Sequence, residues 1–227
     1  MNTLHPDISD TCTQTDKLLW DAYARSAGNQ PGVSGDGSLV FPRYREEGKL
    51  RVSEQEARFA FVEALCRGPL RYSVEAPTTK RYSFSGAGSR SASTDLQIHE
   101  MNKAGICNIE FKEEGKSLDA KDNNSIRKDV EKLLREPVWG LWFHILEGVD
   151  NSTINKLMCV MASCISQVQN EPENDIETPG LTLHICVLRH GFSLQKDVSF
   201  SKNDTELIKH LNVDLRVSRD KLIDVKT

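Results

Sequence analysis

Val138 to Leu146 (V-W-G-L-W-F-H-I-L) is apolar on both of the faces a strand presents, and this limits the fold more than any other stretch. A strand with one wet face alternates apolar and polar residues. One without alternation must be covered above and below, the pattern of a central strand with helices on each side. Leu181 to Leu188 is a second buried-type strand. Asp122 to Glu136 sets Ile126, Val130, Leu133 and Leu134 along one helical stripe and stops before Pro137. Asn151 to Val168 reads as another helix, with Cys159, Cys164, Met158 and Met161 as core filler. The expected class is therefore α/β, a central mixed β-sheet flanked by helices.

Ser53 to Arg67 is the clearest helix, opened by Ser53 with Glu56 three residues on and closed by Gly68-Pro69. On its wheel Glu56, Glu63 and Arg67 share a polar side, whereas Glu54 falls beside Phe61 and Leu65 on the apolar side. Glu54 either favours the positive helix N-terminus or reaches inward toward other acids. Leu70 to Glu75 reads as a strand ended by Ala76-Pro77, with a short extended piece at Tyr82 to Phe84. Residues 16–27 read as a helix stopped by Gly28, followed by a loop or linker, so 1–48 is expected to form a helical arm and 49–227 the main domain. The segment Leu39 to Leu50 shows no clear pattern, and the stretch after Leu188 reads as a polar, mixed tail with a short helix near Thr205 to Leu211.

A length of 227 residues, 38% hydrophobic, suits one globular domain with an appendage, or at most two small domains. No run reaches the roughly 18 to 20 apolar residues of a membrane span. Met1 to Asp10 lacks the basic-then-apolar order of a secretory leader, so a cytoplasmic protein is expected. The six cysteines form no C-x-x-C pair and read as buried, reduced thiols. His184, Cys186 and His190 share a strand face but span too great a length for one ion. Net charge is −4, against charge-driven binding of nucleic acid in general, yet residues 67–135 hold 13 Lys/Arg and 10 Asp/Glu.

Within that basic middle stand S-T-D-L-Q-I and, after a turn, N-I-E-F-K. Strand alternation puts Asp95, Gln97 and His99 opposite Leu96 and Ile98, and Glu110 with Lys112 opposite Ile109 and Phe111. The apolar sets face a core, which leaves two carboxylates and an ammonium on one shared surface. Two carboxylates about 4 Å apart repel by roughly 4 kcal/mol at an effective dielectric near 20. A hard divalent cation, Mg²⁺ or Mn²⁺, neutralises such a pair more fully than one lysine. A solvated polar face on a hairpin would carry the same pattern. The segment 85–93 (S-G-A-G-S-R-S-A-S) lacks the helix that completes a P-loop, and with Lys80, Arg81 and Arg90 it is either a basic contact loop for a polyanion or a solvated loop.

The order helix, strand, strand with Asp95, strand with Glu110-x-Lys112, helix, apolar strand resembles the PD-(D/E)xK nuclease superfamily, over roughly residues 53–147. Thr94 stands where the motif's proline would be. The resemblance implies a restriction-endonuclease-like core and a Mg²⁺- or Mn²⁺-dependent nuclease of restriction, defence or repair type. It implies Asp95, Glu110 and Lys112 as catalytic residues, with Asp95, Glu110, the Phe111 backbone carbonyl and Glu54 around the metal. The expected partner is nucleic acid, DNA first, with Lys80, Arg81 and Arg90 as candidate contacts, and the chain acting alone, as a homodimer or with a protein partner. The alternatives are an RNA-directed nuclease and a non-catalytic interaction module that keeps the fold.

Overall fold

The computed structural model describes residues 3–28, 39–44, 48–82, 90–101, 104–113, 120–148, 151–171 and 175–199. The strands β1 (Arg71–Tyr82), β2 (Arg90–His99), β3 (Gly105–Glu113), β4 (Trp139–Leu146), β5 (Gly180–Val187) and β6 (Phe192–Ser199) form one mixed sheet in chain order. Both neighbours of β2 run antiparallel to it, β3, β4 and β5 run parallel, and β6 returns antiparallel to β5. Every residue of β4 and of β5 is buried, because the sheet is covered on both faces. The helices α1 (Pro6–Ala27) and α2 (Glu54–Leu65) pack on one face against Leu96, Ile98, Ile109, Phe111, Leu141 and Phe143. On the other face α3 (Ala120–Arg135) and α4 (Asn151–Asn170) pack against Trp142, Leu146, Leu181, Leu183 and Ile185.

Two packing details position the site. The Phe61 ring of α2 meets Phe111 at 5.7 Å and Phe143 at 6.0 Å, both edge-on. Such pairs add about 0.5–1.5 kcal/mol each beyond area burial, and they fix the side of α2 that also carries Arg58 and Glu54, one and two turns back. On the opposite face Gly140 lets α3 lie close on β4. A Cβ at Gly140 would stand 3.1 Å from the Leu133 Cβ and 3.2 Å from its carbonyl oxygen. That close seat brings the preceding turn of α3 in front of β3.

Several expectations are corrected. The N-terminal helix is longer than 16–27 and is no separate arm: Ile8, Cys12, Leu19 and Ala22 are buried in the same cluster as α2 and the central strands. Its end matches the reading, since Gly28 adopts the left-handed conformation (φ 73°) that glycine favours. Pro77 does not end β1. The strand runs on to Tyr82 through a register shift between Pro77 and Arg81, and β1 is an edge strand, where proline is tolerated. The first part of the supposed tail is β6, whose Phe192, Leu194 and Val198 alternate toward the core. Ser53 caps α2 without bonding a backbone N–H; its hydroxyl donates to Glu56, and Glu56 is buried beside Arg51 instead of facing water. Cys12, Cys107, Cys164 and Cys186 are buried free thiols, but Cys66 and Cys159 are exposed. His190 lies in the turn before β6, and His184 is engaged by Asp16 of α1 at 2.9 Å. The loop residues 83–89 and the tail helix expected at 205–211 lie outside the described residues.

Candidate active site

β2 and β3 pair as far as Leu96 opposite Ile109 and then part. Side chains take over the ladder at that point. Thr94 Oγ1 donates to the Ile109 carbonyl at 2.9 Å, and the Phe111 N–H donates to Asp95 Oδ2 at 2.8 Å. From the last pair onward the backbone of β3, at the Ile109 carbonyl and the Phe111 N–H, is therefore held by the Thr94 and Asp95 side chains. In a strand the N–H and C=O of one residue share an edge, so the Phe111 carbonyl lies on the same side as the N–H that meets Asp95. The other Asp95 oxygen accepts from Arg58 of α2, which also reaches Glu75 at 3.0 Å.

Glu110 and Lys112 face α3, as alternation against Ile109 and Phe111 requires. Glu110 is only 2% exposed, and burial together with Asp129 and Asp95 pushes its carboxyl well above the usual range, with Lys132 working the other way. Its Oε1 stands 2.7 Å from Lys132 Nζ in a buried ion pair. Lys132 also lies 2.8 Å from Asp129 Oδ1 and donates to the Ser93 carbonyl at 3.1 Å. Lys112 pairs with the second Asp129 oxygen at 2.6 Å. Burial works to lower the Lys112 pKa, but Asp129, Glu110 and Glu54 outweigh it and raise it, so the residue stays an ammonium. Behind it His144 is held neutral, its pKa lowered to about 3 by burial and by Lys112.

Glu54, at the start of α2, is half-buried; burial raises its pKa, and it feels Lys112, Asp95, Arg58 and Asp129. Asp95, Glu110, Lys112 and Glu54 thus stand in one electrostatic neighbourhood. The sequence reading missed Arg58, Asp129 and Lys132. Asp129 was visible in principle, because three residues after Ile126 and four before Leu133 it interrupts the apolar stripe of α3 as Glu54 does that of α2. A cavity of about 480 Å³ between the β1–β2 hairpin and α3 opens beside Asp129 and Lys132, lined also by Ser91, Ser93 and Lys128.

The basic contacts expected near the site are placed less favourably. Lys80 is paired with Glu177, Arg81 is exposed, and Arg90 starts β2. Among the described residues no three His, Cys, Asp or Glu side chains stand so as to hold a metal ion where they are. Arg58, Lys112 and Lys132 stand among the acids. The donor set itself fits a hard dication: it is all oxygen, from carboxylates and a backbone carbonyl. Comparison with protein-family models, with curated proteins and with solved structures finds no match.

Proposed function

We propose that the chain is a metal-dependent nuclease that hydrolyses phosphodiester bonds, DNA first, on a restriction-endonuclease-like core. The observation that carries this reading is the meeting of Asp95 on β2 with Glu110 and Lys112 on β3, where the strands part and α2 delivers Glu54. The element order α2, β1, β2, β3, α3, β4 supports it, being the order on which the family resemblance rests.

Asp95, Glu110, the Phe111 carbonyl and Glu54 would hold Mg²⁺ or Mn²⁺. The bound dication would polarise a phosphodiester oxygen and lower the pKa of an attacking water. Lys112, fixed by Asp129 and kept protonated, puts a positive charge where negative charge grows on the phosphoryl oxygens in the transition state. Asp95 is oriented by Arg58 and the Phe111 N–H, so its carboxylate does not reorganise during the reaction. The cavity beside α3 gives a polyanion a way in, with Lys128 and Lys132 at its wall.

One observation favours a second reading, a non-catalytic module. Glu54, Asp95, Glu110 and Asp129 are met by Arg58, Lys112 and Lys132, so most of the acid is neutralised within the protein. A cleavage assay on single-stranded and duplex DNA and RNA, with Mg²⁺ and Mn²⁺ titrated, separates the readings. Metal-dependent cutting that is strongest on DNA is the expected result; no cutting of any of the four substrates, with metal present, removes the nuclease reading.

A further inference from the structure

The ammonium of Lys132 is surrounded as a bound cation would be. Glu110 Oε1 lies at 2.7 Å, Asp129 Oδ1 at 2.8 Å and the Ser93 carbonyl at 3.1 Å, three oxygens from β3, α3 and β2. Hard dications choose oxygen ligands of these kinds, carboxylate and backbone carbonyl. Neither Asp129 nor Lys132 belongs to the Asp95, Glu110, Lys112 set. Glu110 Oε1 is the telling atom, since it is buried and the Lys132 ammonium is the cation set against it.

We propose that Lys132 is the resting counter-cation of the metal site and that Asp129 is a further carboxylate ligand of it. The ammonium occupies the space between Glu110 and Asp129, and a dication enters only as Lys132 withdraws. The two events are one competitive equilibrium. Lysine suits this use because its charge is compact and rides on a flexible stem, whereas a planar guanidinium would be harder to displace. The cavity alongside, to which Lys132 already contributes wall, gives the withdrawn side chain room. A site whose binding-competent state is only partly populated shows a proportionately weaker apparent affinity, so Lys132 sets how much metal the protein needs.

This inference rests on the metal-dependent reading above, and its test separates the two. Calorimetric titration of Mn²⁺ into the full chain, with no nucleic acid present, is compared for wild type, Lys132→Gln and Asp129→Asn, and thermal unfolding is followed with and without Mn²⁺. Lys132→Gln is expected to bind Mn²⁺ at least about tenfold more tightly than wild type. It should also melt lower without metal and recover with it. Asp129→Asn is expected to bind at least about tenfold more weakly. Binding by wild type combined with equal or weaker binding by Lys132→Gln overturns the competition and leaves the metal reading standing. Should Lys132→Gln not fold, an unchanged Mn²⁺ affinity in Asp129→Asn overturns the proposal equally. No binding by wild type or by Lys132→Gln removes the metal reading and this inference with it.

Discussion

Two glutamates, Glu110 on β3 and Glu136 just past the end of α3, are buried to the same degree and treated in opposite ways. Glu136, 1% exposed, accepts four hydrogen bonds: from the Thr79 N–H (2.9 Å) and Oγ1 (2.7 Å) on one oxygen, and from the Lys80 N–H and the Tyr82 hydroxyl (3.0 Å each) on the other. Those backbone donors lie in the register shift of β1, so Glu136 satisfies groups that the irregular strand turns away from its partner. Glu110, 2% exposed, has its Oε1 set against the Lys132 ammonium at 2.7 Å, and burial and neighbouring acids push its carboxyl upward. A saturated buried carboxylate ties elements together. One held by a lysine among other acids is what the metal site proposed above would use.

Substitutions put the contrast at risk. The largest expected effect is on cleavage: Lys112→Met should cut about 10²- to 10³-fold more slowly, worth about 3–4 kcal/mol of transition-state stabilisation. Its thermal midpoint should change little, and metal-dependent cutting at the wild-type rate would detach Lys112 from the chemistry. Next, Glu136→Ala removes the acceptor of four donors, on exposed Thr79, half-buried Lys80 and buried Tyr82, and should lower stability by about 3 kcal/mol in chemical unfolding. A loss below about 0.5 kcal/mol would show that water replaces the carboxylate.

Acid titration probes the same buried layer behind the site. Folding keeps His144 neutral down to about pH 3, whereas the unfolded chain protonates this residue near its ordinary pKa of 6.5. Acid therefore favours the unfolded chain, and His144 should cost stability as pH falls from 6.5 toward 3, by up to about 1.4 kcal/mol per pH unit. Unfolding curves of wild type and His144→Gln should diverge through that window, with the variant flatter; parallel curves would show that His144 does not stay neutral. The smallest effect is expected at Glu54→Gln, on the rim of the site, with metal affinity weakened only a few-fold in calorimetry. A loss as large as that from Asp95→Ala would promote Glu54 to a principal ligand.

Much of this contrast was legible in the sequence, and the illegible part has a physical reason. The doubly apolar Val138–Leu146 demanded helices on both faces, and alternation put Asp95, Glu110 and Lys112 on one surface. Glu54 announced itself by sitting on the apolar side of its helix. The role of Glu136 was hidden because its partners are backbone donors exposed by a strand irregularity, and Pro77 read as a strand end. Lys132 and Arg58 were hidden because a long cationic side chain on a helix is ordinarily a solvated group, and only the approach of α3 and α2 to the parting strands gives them acids to meet. The short edge strand β6 was missed because its core-facing alternation is interrupted by Lys196.

Glu110→Gln and Glu136→Gln, each taken through thermal unfolding and Mg²⁺-dependent nicking of plasmid DNA, bear hardest on the division between the two carboxylates. The expected result is a crossing: Glu110→Gln keeps or raises the melting temperature and loses nicking, while Glu136→Gln melts lower and still nicks when folded. Nicking by Glu110→Gln at the wild-type rate would contradict the claim that the parted ends of β2 and β3 form the active centre.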